Sequence, residues 1–282
     1  MDQATLKAKE LGRWTTVMPG WRKHDAQLVR AWDVVSERVL DAAGVGPGAR
    51  VLDVASGTGE PAIPAAKRVG PTGRVLGVDF VEPMLEFARE KAAALGLTNL
   101  ELRRVDGEAL DVPDASFDAV TIRWGLMFMP DPGACLARAH RALRPGGRIS
   151  LACWAGPELN PWVTVAMAAV GRHLELPTPP PGAPGIFAFA DRARLVATIE
   201  AAGFHDVRVE PLEGVGLDFA TGADYFTFTS EIAGPLAGLL AQLDPAKQAI
   251  VAREIAADAE KASKVLGRVV LPGVTWVAWG TK

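Results

Sequence analysis

The sequence predicts a doubly wound α/β fold, because short apolar strands alternate with helical segments from residue 50 onward. The predicted strands cover residues 50–55, 74–79, 100–105, 117–123 and 148–154, and the predicted helices cover residues 61–69, 82–95 and 132–143. The strands are rich in Val, Ile and Leu, which is typical of a parallel sheet covered on both faces. Ligands of such sheets bind beyond the carboxyl ends of the strands.

Further elements are predicted on either side of this alternating pattern. Apolar residues spaced three and four apart predict an amphipathic helix at 27–43. The alternation ends after Trp154, and the proline-rich segment 177–185 predicts an extended connection. The remaining predictions are a helix that stops at Gly203, a strand at 206–212, helices at 235–243 and 245–265, and a closing strand at 274–282.

This pattern divides the chain into a core and additions. We predict an N-terminal helical lid (1–48), a core in three pieces (49–156, 191–212 and 272–282) and two insertions that cover the site (157–190 and 213–271). An apolar content of 49% over 282 residues is enough for one sizeable core with insertions.

The composition disfavours several classes of function. With 30 basic and 33 acidic side chains the net charge is −3, so no general field attracts nucleic acid. Cys135 and Cys153 are too few for a disulfide framework and have no zinc-ligand spacing, so we expect no metal site. The N-terminus lacks the apolar core of a signal peptide, and no apolar run is long enough to cross a membrane. We therefore expect a soluble, cytoplasmic protein.

The segment VLDVASGTGEP ends the first strand and opens the first helix of the core. Gly57, Gly59 and Ala62 fit the G-x-G-x-x-A pattern of dinucleotide-binding loops. However, the carboxylate of Asp53 would repel a pyrophosphate by about 1–4 kcal/mol at about 4 Å. Pro61 also removes one backbone N–H from the first helical turn, where a phosphate would bind. The loop therefore suits a cationic ligand better than a phosphate.

Carboxylates also end the next two strands. Asp79 lies twenty residues after Gly59, where it can accept both hydroxyls of a ribose, a feature that fits either kind of nucleotide. Asp106, followed by Gly107 and Glu108, offers a side-chain acceptor and backbone donors to an adenine ring. An adenosine with a cationic tail and no phosphate satisfies all of these groups, and S-adenosylmethionine (SAM) is that molecule.

The sequence resembles the class I SAM-dependent methyltransferases, in particular the group similar to the ubiquinone and menaquinone biosynthesis methyltransferases (methyltransferase type 11). Five stretches carry the resemblance, in the order and at the spacing of that family: VLDVASGTGE, GRVLGVDFVEPMLEFARE, VDGEALDVPDASFDAV, GLMFMPDPGACLARAHRALRPGGRISL and LVATIEAAGFHDVRV. The resemblance covers residues 49–154 and 191–211. It implies a Rossmann-like sheet of seven strands in the order 3-2-1-4-5-7-6 with an antiparallel last strand, and SAM as the cofactor.

The resemblance also implies which residues surround the cofactor. They are Asp53, Ala55, Ser56, Gly57, Gly59, Asp79, Phe80, Met84, Asp106, Gly107, Glu108, Arg123 and Trp124. Asp53 would face the methionine ammonium, Asp79 would bind the ribose hydroxyls, and Asp106 would accept the adenine amine. The backbone of residues 55–59 would approach the amino-acid tail.

Aromatic and sulfur-containing side chains complete this implied set. Phe80 and Met84 would lie near the adenine ring, and Arg123 and Trp124 would lie beneath the sulfonium methyl group. One residue departs from the family pattern, because Ala55 stands where the loop usually has its first glycine. If this position needs a positive φ, the alanine costs about 1 kcal/mol or more.

The composition of the segments outside the core indicates which kind of methyl acceptor to expect. They are rich in Ala, Leu, Val, Phe and Trp, which favours a largely apolar, closed pocket. We expect a small hydrophobic or amphipathic acceptor such as a quinone precursor, a polyketide, a terpenoid or another secondary metabolite. Candidate substrate residues are Trp21, Trp162, Phe187 and Tyr225, and His24 is a candidate base. Each of these side chains can instead serve to pack the additions onto the core.

The expected reaction is an in-line displacement, in which alignment of nucleophile, methyl group and sulfur supplies most of the rate. A general base helps only if the nucleophile must lose a proton, so a missing catalytic dyad does not argue against an enzyme. Two alternatives stay open: a methyltransferase-fold protein that uses SAM without methyl transfer, for rearrangement, elimination or decarboxylation, and an NAD(P)-dependent oxidoreductase, which Asp53 disfavours. The additions could also pair two copies of the chain as a homodimer.

Overall fold

A single seven-stranded sheet forms the core of the protein, seen in a computed structural model that describes residues 2–177, 180 and 182–282. Its strands are β1 (Arg50–Val54), β2 (Arg74–Asp79), β3 (Leu100–Arg104), β4 (Phe117–Arg123), β5 (Leu143–Trp154), β6 (His205–Leu212) and β9 (Thr275–Thr281). Their order is β3-β2-β1-β4-β5-β9-β6. Strand β9 pairs antiparallel with both β5 and β6, and β1 to β5 pair in parallel. The predicted strand order, with its antiparallel last strand, is confirmed.

Helices cover the sheet. They are α2 (Asp25–Ala42), α3 (Ala62–Val69), α4 (Glu82–Ala94), α5 (Pro132–Ala142) and α7 (Arg192–Ala201). Successive residues of β1 from Val51 to Val54 are all buried, although neighbouring side chains of a strand point to opposite faces. Both faces of the sheet are therefore covered, as the apolar strands predict. Most boundaries in the core differ from the prediction by one or two residues at most, and the largest difference is that β5 already begins at Leu143, directly after α5.

An N-terminal helix, α1 (Gln3–Lys23), precedes the helix that the sequence predicts. Its first N–H groups are capped by the side chain of Asp2, which accepts a hydrogen bond from the Thr5 N–H at 2.8 Å. It packs against α4 and against two helices of the second insertion, α8 (Gly222–Ile232) and α9 (Gly234–Leu240). Close approach to α8 requires Gly20, where an added Cβ would lie 2.2 Å from the carbonyl oxygen of Glu231.

The two insertions contain more regular structure than the sequence predicts. The first includes α6 (Pro161–Val170), and the described residues of the proline-rich segment 177–185 are in neither helix nor strand. Residues 178, 179 and 181 of that segment lie outside the described part of the chain.

The second insertion contains α8, α9, α10 (Pro245–Ala262) and a small antiparallel sheet of β7 (Leu217–Phe219) and β8 (Val269–Leu271). The predictions of helices at 235–243 and 245–265 are confirmed with shorter bounds, whereas α8, β7 and β8 were not predicted. Helix α10 packs against α8 and α6, so the insertions contact each other. In the described residues no helix is both long and apolar enough to span a membrane.

Candidate active site

The carboxyl ends of neighbouring parallel strands bring the predicted cofactor residues to one edge of the sheet. Asp53 lies next to the end of β1, Asp79 and Arg123 end β2 and β4, and Asp106 follows shortly after β3. Strand β1 lies between β2 and β4. The side chains at these strand ends therefore surround the loop that follows β1, which is where ligands of doubly wound sheets bind.

The loop after β1 has three residues in the left-handed region of φ: Ala55 at 58°, Gly57 at 50° and Gly59 at 99°. Glycine adopts such angles without strain, whereas alanine loses about 1–2 kcal/mol. Ala55 therefore has the positive φ at which strain is expected from the sequence. Gly125, in the loop after β4, leaves room for the Ala55 side chain, because an added Cβ there would lie 2.3 Å from the Cβ of Ala55.

Asp79 fastens this loop to the end of β2. Its Oδ2 accepts a hydrogen bond from the Gly57 N–H, and its Oδ1 accepts one from the Val81 N–H, both at 2.9 Å. Burial raises the pKa of Asp79 to about 6, and the hydrogen bonds from backbone N–H groups oppose that rise. Each carboxylate oxygen has further lone pairs, so the group can accept additional hydrogen bonds.

Asp53 is a fully buried carboxylate with one free oxygen. Its Oδ1 accepts a hydrogen bond from the Thr121 hydroxyl at 2.7 Å, while its Oδ2 has no hydrogen-bond partner within the described chain. Burial raises the pKa of Asp53 to about 7, although the Thr121 hydroxyl, the positive charge of Arg123 and the nearby backbone N–H of Ala62 lower it. The Ala62 N–H lies outside hydrogen-bond geometry, so Oδ2 stays without a partner. A buried oxygen without a partner is costly unless a donor or a cation reaches it.

A cluster of charged side chains adjoins Asp53. The Arg123 Nε donates to the carbonyl oxygen of Glu60 at 3.2 Å, and its guanidinium lies 4.9 Å from the ring centroid of Trp124. The Lys91 Nζ lies 3.8 Å from Glu60 Oε1 and 2.8 Å from Asp25 Oδ1. Burial lowers the pKa of Arg123, and the nearby carboxylates oppose this effect. Both signs of charge are thus available to a zwitterionic ligand.

Helix α1 contacts the carboxylates that follow β3. The Lys7 Nζ lies 2.6 Å from Asp106 Oδ2 and 2.6 Å from Glu108 Oε2. Asp106 Oδ1 also accepts from the Glu108 N–H at 2.9 Å, and Glu108 Oε1 accepts from the Asp131 N–H at 2.9 Å. An ammonium group therefore binds Asp106, the residue predicted to accept the adenine amine.

The same helix covers the apolar side of the site. Met18 of α1 is buried in one cluster with Val81 and Met84 of the segment after β2. The partly buried members of this cluster are Leu11, Trp14, Trp21, Phe80 and Phe87. The side chains predicted to lie near adenine, Phe80 and Met84, are thus packed beneath α1.

Comparison with known proteins identifies the family. The model of the ubiE/COQ5 methyltransferase family matches residues 27–169, just over half of the chain, and that range contains all the strand ends described above. The chain belongs to the ubiE/COQ5 methyltransferase family. It is a SAM-dependent methyltransferase, as its resemblance to that class implies.

Two relatives show how far the similarity extends. The methyltransferase is 36% identical to nocamycin O-methyltransferase of Saccharothrix syringae over 200 residues, which is 65% of this chain and 71% of that protein. It is 45% identical to demethylmenaquinone methyltransferase of Staphylococcus aureus over 115 residues, 40% of this chain and 46% of that protein. The second match thus spans less than half of the relative.

Solved structures share the fold over most of the chain. The YcgJ protein of Bacillus subtilis covers 90% of the methyltransferase with a TM-score of 0.57 and 17% identity, and 98% of YcgJ is matched. The [4+2]-cyclase SpnF covers 88% with a TM-score of 0.53 and 20% identity, and 80% of SpnF is matched. At these identities the similarity concerns the fold.

The residues at the strand ends fit SAM. The partnerless Oδ2 of buried Asp53 is suited to the cationic ammonium group of the amino-acid tail. The positive φ angle at Gly57 favours a residue without a side chain, and an added Cβ there would have only the Met84 sulfur within 4 Å, at 3.8 Å. At Gly59 an added Cβ would lie 2.7 Å from the Ile63 side chain, so this glycine is needed for packing against α3. Two backbone N–H groups hold the carboxylate of Asp79 in place, and its role as the acceptor of ribose hydroxyls stays a prediction.

Lys7 gives a direct test of the adenine subsite. Because its ammonium occupies Asp106, we expect it to compete with the adenine amine. Both side chains are about one-third exposed, so the ion pair contributes at most about 1 kcal/mol. Lys7→Gln is therefore expected to tighten binding of S-adenosylhomocysteine (SAH), measured by calorimetry, by about two- to fivefold. Lys9→Gln, at an exposed position of the same helix, is the control. Unchanged or weaker binding by Lys7→Gln would contradict this competition.

Four tryptophans form a cluster beyond the ends of β4 and β5. The Trp124 ring stacks on the Trp154 ring, with centroids 4.4 Å apart and planes at 11°. Trp32 of α2 packs edge-on against Trp124 at 4.8 Å, and Trp162 of α6 lies 4.8 Å from Trp154. Trp124 has a φ of 58° and donates from its Nε1 to the Thr275 hydroxyl at 2.9 Å. We call Trp32, Trp124, Trp154 and Trp162 the tryptophan cluster.

The predicted substrate-side residues are spread around this cluster. The Trp21 Nε1 donates to the carbonyl oxygen of Ile232 at 3.1 Å, and its ring lies 6.3 Å from that of Trp32. The Tyr225 hydroxyl donates to the carbonyl oxygen of Trp162 at 2.8 Å, and burial raises the pKa of this hydroxyl. Phe187 is half-buried against the main core. Their contact with an acceptor stays a prediction.

His24 lies at the junction of α1 and α2. Its Nε2 is 2.6 Å from Glu231 Oε2, and its ring packs edge-on against Phe228 at 4.9 Å. Lys23 binds the same carboxylate at 2.7 Å. These contacts fasten the junction to α8, and a role for His24 as a base stays a prediction.

Proposed function

We propose that this methyltransferase transfers the methyl group of SAM by in-line displacement to a small, largely apolar acceptor such as a quinone precursor, a polyketide, a terpenoid or another secondary metabolite. The tryptophan cluster carries this proposal. Trp124 follows β4 directly, at the position predicted to lie beneath the sulfonium methyl group. Trp32 comes from the N-terminal segment and Trp162 from the first insertion, and Tyr225 of the second insertion bonds to Trp162. All three additions therefore meet beside the predicted methyl position.

The activities for which the two relatives are named support an acceptor of this class. One is an O-methyltransferase of nocamycin and the other a methyltransferase of demethylmenaquinone. Aromatic side chains that are buried to more than nine-tenths favour a planar or apolar ligand over a charged one.

Different side chains of the site would position different parts of SAM and the acceptor. Bound SAM supplies an electrophilic methyl group on a sulfonium. Asp53 would hold the ammonium of the amino-acid tail, Asp79 the ribose and Asp106 the adenine. The tryptophan cluster would exclude water and hold the acceptor in line. Such alignment reaches effective molarities of about 10⁵ M or more, so a base is needed only when the nucleophile must lose a proton.

Methyl transfer can be tested with labelled SAM. The protein is incubated with methyl-labelled SAM and a panel of phenols, naphthols and hydroxyquinones, and both SAH and the label in the extracted organic product are measured. We expect acceptor-dependent SAH release with equal label in the product. Chemical change of an acceptor without SAH release and without label in the product would favour use of SAM for another reaction. Stabilisation of the protein by NAD and not by SAH would contradict the proposal and favour an oxidoreductase.

A further inference from the structure

Trp32 has an indole N–H that lacks a partner in the structure. The side chain is 2% exposed, and its Nε1 makes no hydrogen bond within the described residues. Three neighbouring indoles are all satisfied: Trp21 by the Ile232 carbonyl, Trp124 by the Thr275 hydroxyl and Trp162 by the Asn160 side chain. Among the described residues, the Trp32 Nε1 is the one indole nitrogen that is buried without a hydrogen-bond partner.

A buried N–H without a partner costs about 1–3 kcal/mol. Faces of neighbouring indole rings are weak acceptors and offset only part of this cost. Trp32 contacts Trp124 edge-on at 4.8 Å and lies 6.0 Å from Trp154, the residues that follow β4 and end β5. Its N–H thus belongs to the region where the acceptor is proposed to bind.

We infer that the Trp32 N–H donates a hydrogen bond to an oxygen atom of the methyl acceptor. This inference rests on the proposed function and narrows its acceptor class. An indole nitrogen can donate but not accept, so it selects a carbonyl, phenol or phenolate oxygen and gives no partner to an ammonium group. The surrounding rings bind the hydrocarbon part of the acceptor. The acceptor is therefore a planar molecule that carries oxygen.

A matched pair of ligands and a matched pair of variants test the inference. The probes are 1-naphthol and naphthalene, bound to SAH-saturated protein in equilibrium dialysis. The wild type is expected to bind 1-naphthol about tenfold more tightly than naphthalene. Trp32→Phe keeps an aromatic ring but removes the N–H, so it should lose this preference, because the smaller ring changes the apolar contact with both probes alike. Trp162→Phe should retain the preference, because the Trp162 N–H is already bonded to Asn160 at 3.2 Å.

Thermal unfolding of the ligand-free variants provides a second readout. Both variants lose the same side-chain volume, so Trp32→Phe, which removes a partnerless donor, should lower Tm less than Trp162→Phe, which also breaks a hydrogen bond. A preference for 1-naphthol that survives in Trp32→Phe would overturn the inference, as would failure of the wild type to distinguish the probes. If SAH itself does not bind in calorimetry, the proposed function fails. If SAH binds and only the preference for 1-naphthol over naphthalene is missing, the inference about Trp32 fails and the proposed function does not.

Discussion

Asp53→Asn is expected to weaken SAH binding by two to three orders of magnitude and, at the same time, to stabilise the ligand-free protein. The carboxylate is fully buried with one partnerless oxygen, so its charge is costly until a cation binds it. Removing one member of a buried ion pair costs about 3–5 kcal/mol in the complex. In the free protein the amide avoids the burial of a charge, and we expect a gain on the order of 2 kcal/mol at pH 8.

The pH dependence of this variant follows from the raised pKa. Asp53 has a pKa of about 7 in the folded protein and an ordinary value of 3.8, so the folded state takes up a proton as the pH falls below 7. Protonation therefore stabilises the folded wild type toward acid pH, and the cost of the buried charge is fully present only above pH 7. The difference in Tm between Asp53→Asn and the wild type should be largest at pH 8 and shrink toward pH 5.

SAH binding should show the opposite trend in the wild type. In the proposed site the ammonium would bind the deprotonated carboxylate of Asp53, so the affinity for SAH should fall by up to about tenfold per pH unit below pH 7. Calorimetry from pH 5.5 to 7.5 measures this slope. Asp53→Asn should remove the part that titrates near pH 7 and leave the fall near pH 6 that comes from protonation of Asp79. Thr121→Val is a matched control, because it removes only the hydroxyl that donates to Asp53 at 2.7 Å. Without this hydrogen bond the pKa of Asp53 should rise further, so the fall in SAH affinity should begin at a higher pH in Thr121→Val. The large loss of affinity expected for Asp53→Asn should not occur. Equal affinity in Asp53→Asn and the wild type would disprove the role of Asp53.

The core of the fold could be predicted because its signals are local. The strands Arg74–Asp79 and Phe117–Arg123 have the predicted bounds, since each is an apolar run that ends at a polar residue. Helix α8 was not predicted, because its sequence GADYFTFTSEI is rich in aromatic and β-branched residues, which favour strands. A capping box between Thr221 and Asp224 and packing on α10 determine the helix instead.

In the candidate site, too, some residues could be predicted from the sequence and others could not. Asp53, Asp79 and Asp106 could be predicted, because strand ends of a parallel sheet converge wherever the sequence repeats the strand–helix pattern. Lys7, Trp32 and Glu60 could not. Lys7 reaches Asp106 across a separation of 99 residues, and no motif marks it. In the sequence, Trp32 is only one of several apolar positions of an amphipathic helix. Its packing against Trp124 and its partnerless N–H are seen only in the structure.

Asp79→Ala is expected to weaken SAH binding about a hundredfold or more and, unlike Asp53→Asn, to destabilise the free protein. The two charge-assisted hydrogen bonds predicted between Asp79 and the ribose would contribute about 3 kcal/mol together, which corresponds to this loss. The variant also deprives the Gly57 and Val81 N–H groups of their acceptor. The Val81 contact is buried, so Tm should fall. Asp114→Ala, which breaks an exposed ion pair with Arg141 away from the strand ends, should change neither property.

Loss of affinity in Asp79→Ala could come from the ribose contact or from the released loop, and a second ligand separates these causes. The wild type should bind 2′-deoxy-SAH about tenfold more weakly than SAH, because one hydroxyl no longer donates to the carboxylate. Asp79→Ala has no carboxylate to accept that hydroxyl, so it should bind both ligands with the same affinity. The two changes are then non-additive, which is the signature of direct contact between the groups. If the variant still prefers SAH over its 2′-deoxy form, another residue binds the ribose, and Asp79 acts only through Gly57 on the loop.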